Sequence, residues 1–211
     1  MQHDKISEAV IRRLPRYYRH LGALVQRGVV RISSQLLADN LGLTASQIRQ
    51  DLNCFGGFGQ QGYGYNVELL HKRIGEILHG GRTHTAILIG VGNLGRALCE
   101  NFNFMDAGVS LTAAFDVRPE LFGATVGGVI VHNVETLDEY VREHTPSIAV
   151  LTLPRKNAAA MTHKLCSLGV RGLWNFTNED IHQIAENVVI ENIHFFDSLM
   201  YMCYHLKDEQ I

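Results

Sequence analysis

No apolar run in this 211-residue chain approaches the roughly 18 residues that a membrane-spanning helix requires. The N-terminus opens on polar residues instead of the apolar core of a secretory signal, so a cytoplasmic location is expected. Cysteine is scarce and scattered. Cys54, Cys99, Cys166 and Cys203 form no CxxC pair, which argues against a disulfide framework and a zinc knuckle, and no metal is expected. The eleven histidines supply no H-E-x-x-H and no His/carboxylate pair at ligand spacing. Tyr204 and Lys207 are spaced Y-x-x-K, not the Y-x-x-x-K that sets a catalytic pair on one helix face. A composition of 46% hydrophobic and 19% charged residues excludes a disordered chain and suffices for one large or two small domains.

The net charge of −2 hides a split. Residues 1–80 carry +4 and the remainder −6, as expected of a polyanion-binding end joined to an ordinary soluble end. At the basic end, Ile6, Val10, Leu14, Tyr17, Leu21, Leu24 and Val25 recur at three- and four-residue steps and predict an amphipathic helix from Asp4 to about Gln26, with Pro15 a kink or boundary. Arg12, Arg13, Arg16 and Arg19 fall mainly off that stripe and are available to phosphates. Ser33 or Ser34 caps a second helix that carries Leu36, Leu37 and Leu41 and stops at Gly42. Thr44 and Gln47 have the spacing of a capping box, so a third helix is expected from Ala45 to about Phe55.

Two short helices around a Gly-containing turn make a helix-turn-helix. With Leu43, Ile48 and Leu52 inward, Ser46, Gln47, Arg49 and Gln50 face out, and these side-chain types address base edges in the major groove. The glycine-rich stretch Phe55–Val67 predicts a hairpin wing, whose Gln60, Gln61 and Tyr63 suit backbone or minor-groove contacts. Arg31, Ser33, Ser34 and Thr44 complete the expected DNA-facing set. His79 and His84 flank an expected linker at Gly80-Gly81.

The acidic end opens with the apolar run TAILIG and Gly90-Val91-Gly92-Asn93-Leu94-Gly95, followed by helical spacing through Leu98 and Phe102. Glycines between a strand and a helix N-terminus permit a tight turn and aim backbone N–H groups at a pyrophosphate. A second strand, Leu111 to Phe115, ends at Asp116, 21 residues beyond Gly95, about the distance expected of the acid that receives the ribose hydroxyls. Val117 follows at the same strand end. Asp116 should repel a 2′-phosphate that Arg118 might otherwise attract, which favours NAD(H) over NADP(H). Strands are also expected at Val126–Val131, Ile148–Leu153 and Gly172–Phe176, with helices near Leu137–Glu143 and Lys156–Leu168. Thr152, Leu153 and Pro154 would reach the carboxyl edge of the sheet, where ligands of this fold bind.

The final segment, Ile193–Lys207, is apolar around more than one side of a helix, so it plugs its own sheet or packs into a second subunit. The expected organisation is a winged-helix domain over 1–80, an α/β Rossmann-like NAD(H) domain over 81–192 and a C-terminal helix over 193–211. An NAD-dependent oxidoreductase remains an alternative, as does a nucleotide or coenzyme A binding domain with a helical appendage. No catalytic site supports the first, and the second leaves the basic head without a role.

Over essentially its whole length the chain resembles the Rex family of redox-sensing repressors. The resemblance rests on RRLPRYYRHL (Arg12–Leu21), LGLTASQIRQDLNCFGGFGQQGYGYNV (Leu41–Val67), the glycine loop with Asp116, LTLPR (Leu151–Arg155) and the aromatic-rich C-terminal helix. It implies a homodimer with exchanged C-terminal helices that binds palindromic operator DNA when NADH is scarce and releases it when NADH binds. It also implies roles for residues: Arg49 and Gln50 in the recognition helix, Gln61 in the wing, Gly90 to Gly95 on the pyrophosphate, Asp116 on the adenosine ribose and Phe195 near the nicotinamides. Family members typically carry a tyrosine and an aspartate that communicate with an arginine of the head. Here those positions are Asn101 and His194, with Arg19 retained, so cofactor discrimination altered or weaker than in the family at large is expected.

Overall fold

Of the 211 residues, the computed structural model describes 6–56, 59–60, 63–182 and 187–206, and the chain divides into two units, Met1–Arg82 and Thr83–Ile211.

In the first unit, helix α1 (Glu8–Gln26) runs through Pro15 without a break and buries Val10, Leu14, Tyr17, Leu21 and Leu24 along one stripe. Strand β1 (Arg31–Ile32) leads into α2 (Ser34–Leu41). Ser33, not Ser34, is the cap: its hydroxyl accepts the Leu36 amide at 3.1 Å, and Gly42 ends the helix in the left-handed conformation. Thr44 likewise accepts the Gln47 amide at 3.2 Å and starts α3 (Ala45–Asn53), two residues shorter than its periodicity suggests. Strands β2 (Gly59–Gln60) and β3 (Gly64–Asn66) join β1 in an antiparallel sheet of order β1-β3-β2. Gly64 sits at φ +68°, and a Cβ there would lie 2.6 Å from the Ile32 carbonyl oxygen, so only glycine lets the two strands cross this closely.

Asn66 caps a further helix, α4 (Val67–His79), by accepting the Leu69 amide at 2.8 Å, and the helix ends at Gly80, where the linker was expected. Leu70 and Ile74 of α4 join Leu14, Tyr17, Leu21, Leu37, Ile48 and Leu52 in one core. Leu36 points away from it and is exposed. Helix-turn-helix, three-stranded wing and flanking helices constitute a winged-helix domain.

In the second unit, β4 (His84–Ile89), α5 (Asn93–Asn101), β5 (Val109–Asp116), β6 (Thr125–Val126), β7 (Val129–Asn133), α6 (Leu137–His144), β8 (Ile148–Leu151), α7 (Ala158–Ser167), β9 (Gly172–Asn175), β10 (Val189–Asn192) and α8 (Phe195–Leu206) follow in order. They form one sheet of order β10-β9-β8-β4-β5-β7-β6. All pairings are parallel except β6 with β7. The chain winds outward from β4 through β5 to β7, returns past β4 to β8, and continues to β10. This is the doubly wound Rossmann order, whose ligand crevice opens where the winding reverses, between β4 and β8.

The single strand expected over Val126–Val131 is instead a hairpin, because Gly127 and Gly128 both take positive φ (+57° and +83°) and turn the chain back in two residues. The Lys156–Leu168 helix begins later, at Ala158, after a short 3-10 turn. Both faces of the sheet are buried, Ile87, Ile89 and Phe115 on one side and Leu88, Ala114 and Val150 on the other, as a parallel sheet requires.

Candidate functional site

The N-terminal unit presents α3 outward. Ser46, Arg49 and Gln50 are exposed and Gln47 is half-buried, while Ile48, Asp51 and Leu52 face the core. The Arg49 guanidinium donates to the Ser34 hydroxyl at 3.0 Å, so the first turn of α2 orients the side chain best suited to a guanine. Arg16 donates to the Leu41 carbonyl at 2.8 Å and secures the end of α2. Arg31 bonds the Tyr63 carbonyl at 3.2 Å and lies 5.8 Å from its ring centroid, bracing the exposed Tyr63 on the wing. Arg12 pairs with Glu8 within α1, and Arg19 is exposed on the same helix. Of Gln60 the structure describes only the backbone, and Gln61 lies outside the described residues.

Arg13 requires a correction. Its Nε and Nη2 both reach the Asp51 carboxylate, at 2.6 and 2.8 Å, and the Tyr17 hydroxyl donates to the same group. Asp51 is buried, so this guanidinium neutralises an interior charge and is not offered to phosphate. Hydrogen bonding to Asp51 raises Arg13 above its ordinary value, and burial followed by the Asp51 bond raises Tyr17, so Tyr17 stays a neutral donor. Asp51 escaped the sequence reading, although a charged residue on the inward stripe of α3 was the signal for it.

In the C-terminal unit, Gly90 at φ +99° turns the chain out of β4, with the backbone of Thr152 and Leu153 pressed against it. A Cβ on Gly95 would overlap the Gly90 carbonyl oxygen, whereas Gly92 has open space around it. These are the distinct glycine roles of the dinucleotide turn: tight bend, open approach and close helix packing. Thr152 donates its hydroxyl to the Gly90 carbonyl at 2.7 Å, so it holds the loop's shape. Asn93 is exposed at the start of α5, Leu94 half-buried, Val91 and Leu153 buried, and Val117 and Pro154 exposed.

Asp116 is buried at the end of β5, with Oδ2 accepting the Val91 amide at 2.7 Å and Oδ1 accepting Arg118 N and Nε, each at 3.0 Å. Burial would raise this carboxyl, but the bonds from Arg118 and Val91 outweigh it and hold the group below the ordinary carboxylate value. It therefore carries its negative charge at neutral pH.

At the rim, buried Asn175 organises the segment NFTNED. Its amide donates to the Glu179 carbonyl and to Asn192 Oδ1, both at 2.7 Å, and its oxygen accepts the Thr177 hydroxyl at 2.7 Å. His194 is bonded to Asp180 at 2.9 Å, and Asn101 donates to Ala97 O of its own helix at 3.2 Å. Phe195 opens α8, is exposed, and lies 6.0 Å from Phe176 between ring centroids. No residue of α8 is buried, and Phe196, Leu199, Met200, Tyr201, Met202, Tyr204 and Leu206 are all exposed large side chains. Plugging its own sheet is therefore not what this helix does. Among the described residues, no His/Cys/Asp/Glu group could hold a metal and no helix is long and apolar enough to cross a membrane.

Two family models match the chain in tandem, one described as a putative DNA-binding protein N-terminus over residues 5–53 and one as a CoA binding domain over residues 82–179. A redox-sensing transcriptional repressor Rex from Thermoanaerobacter pseudethanolicus is 44% identical over 98% of this chain and 92% of its own length. The chain belongs to the Rex family. Among solved structures, RSP in complex with NAD⁺ and operator DNA is 44% identical, with a TM-score of 0.88 over 97% of this chain and 94% of that one. RSP in complex with NADH is 41% identical, with a TM-score of 0.89 over 98% and 96%. Rex relatives are named as transcriptional repressors, not as enzymes, and the Rex match spans both units, where the coenzyme A description covers only the second.

Proposed function

We propose that this chain is a cytoplasmic, homodimeric redox-sensing repressor that holds palindromic operator DNA through α3 and the wing and lets go when NADH fills its Rossmann crevice. The observation that carries this reading is one chain joining an outward α3, with Arg49 oriented by Ser34, to a glycine loop backed by an ionised Asp116. RSP, a relative alike over nearly its full length, is solved both with NAD⁺ and operator DNA and with NADH.

Arg49 and Gln50 would meet base edges, Arg12, Arg16, Arg31, Ser46, Gln47 and Tyr63 the backbone, and Gln60 and Gln61 the wing side of the site. The amides of the Gly90–Gly95 turn and the N-terminus of α5 would receive the pyrophosphate, and Asp116 the adenosine ribose. The exposed face of α8 would be covered by a second copy, bringing Phe195 toward the partner's nicotinamide. NADH then needs only to favour the dimer arrangement whose heads cannot span successive half-sites, since differential affinity is what shifts a population. Asp180, bonded to His194 at 2.9 Å, puts a carboxylate where α8 begins, although His194 itself is not acidic. The message to Arg19 would therefore run through different groups than in relatives with a Tyr/Asp pair.

Two substitutions separate the halves. Arg49→Ala should weaken operator binding by about 1–3 kcal/mol while leaving NADH binding intact. Asp116→Ala should do the reverse in the same gel-shift and calorimetric assays. Full operator affinity in Arg49→Ala would refute the placement of the reading helix.

A further inference from the structure

The rim segment 175–180 is held by three elements. Its backbone is fixed to the sheet: the Asn175 amide reaches the Glu179 carbonyl and Asn192 Oδ1 at 2.7 Å each, and Asn192 exchanges hydrogen bonds with the backbone of Ile181. Two neighbouring acids then engage bases from different parts of the chain. Glu179 Oε2 pairs with Arg155 Nε at 2.5 Å, just beyond β8, and Asp180 Oδ1 meets His194 Nε2 at 2.9 Å, just before α8. Arg155 follows Thr152 by three residues, and Thr152 holds the Gly90 carbonyl of the glycine loop at 2.7 Å. A continuous run of bonds and backbone therefore leads from the nucleotide turn to the residue that precedes α8.

Neither pair is deeply buried, Arg155 being 71% and Asp180 68% exposed. An exposed pair is worth up to about fivefold in an equilibrium constant, too little to hold a fold and enough to bias how one helix is seated. Hydrogen bonding to Glu179 raises Arg155 above its ordinary value and the charge of Asp180 adds to it, so the two pairs share one electrostatic neighbourhood. The charged groups around His194 are Asp180 and Glu179 of the rim, Arg155 beyond them, and Glu191 and Asp197 on its own flanking segments. A protonated imidazole there meets mostly negative charge. Imidazole is the side chain that ordinarily gains its charge near neutral pH, and a proton on His194 adds Coulomb attraction to its hydrogen bond with Asp180. We infer that Glu179 and Asp180 are positioning residues that couple the NADH crevice to the seating of α8, and that His194 makes this coupling stronger as pH falls. This rests on the reading of the chain as a repressor that NADH releases from its operator.

Operator anisotropy of the full-length protein, with and without saturating NADH, gives the factor by which NADH weakens operator binding. In wild type this factor should be about two- to fivefold larger at about pH 6 than at about pH 8. Asp180→Asn and His194→Gln should hold it at the higher-pH value throughout, and Asp180→Glu, which keeps the carboxylate, should restore the trend. Glu179→Gln should lower the factor about two- to fivefold at both pH values. Operator affinity without NADH and the melting midpoint should match wild type in every variant at each pH, since exposed pairs carry little stability. A wild-type factor indifferent to pH, a pH trend that persists in His194→Gln, or wild-type coupling in Glu179→Gln overturns the proposal and leaves NADH-released repression standing. A lowered melting midpoint alongside the lost coupling assigns the effect to folding and overturns it as well. Operator binding that NADH never weakens in wild type removes both readings.

Discussion

Asp51 of α3 and Arg13 of α1 form a two-pronged ion pair, 2.6 and 2.8 Å, beneath the surface of the N-terminal unit. The orientation of α3 is thereby tied to α1 through charge as well as through packing. Asp51→Ala would leave Arg13 without its interior counter-charge, and removing one partner of a buried pair costs about 3–5 kcal/mol. We expect a lowered unfolding midpoint for the N-terminal unit in thermal melts followed by circular dichroism. An unchanged midpoint would mean the pair contributes nothing to the unit's stability.

Gly95→Ala tests the other unit. The added Cβ would overlap the Gly90 carbonyl and approach the Thr152 hydroxyl to 2.8 Å, so the turn must open where a pyrophosphate would sit. Calorimetry should show NADH binding reduced by at least about tenfold, roughly 1.4 kcal/mol, with operator binding retained. Wild-type NADH affinity in this variant would show that the turn does not hold the nucleotide.

A pH dependence follows from His71, whose ring stacks on Tyr18 with centroids 4.2 Å apart and whose titration is lowered by burial. The unfolded chain then binds this proton more readily than the folded one, so stability is full above the unfolded value and is lost as pH falls below about 6.5. Denaturant melts between neutral and mildly acidic pH should show this loss, and His71→Phe should flatten the profile. An equally steep profile in the variant would assign the dependence to other groups.

Much of the fold was legible because local signals coincide with local structure. Ser33, Thr44 and Gly42 cap helices as their residue types imply, and the strand–glycine–helix order around Gly90 is met in the sheet. What escaped depends on partners distant in the chain or on turns inside an apolar run. Arg13 looked like a surface cation because its partner lies 38 residues away. Gly127-Gly128 turned an apparent strand into a hairpin, and Asn66 was not recognised as the cap of α4. Asp116 was found, but its occupation by Arg118 depends on a side chain folding back over the glycine loop, which no periodicity records.

The central claim is that one chain reads DNA with one unit and NADH with the other. Fluorescence anisotropy of a labelled palindromic operator, titrated with the full-length protein and then with NADH or NAD⁺, tests both at once. The account predicts tight, salt-dependent operator binding that NADH releases, with NADH and NAD⁺ told apart less sharply than in relatives that keep the Tyr/Asp pair. Operator binding indifferent to NADH, or no preference for the operator over unrelated duplex, would contradict it.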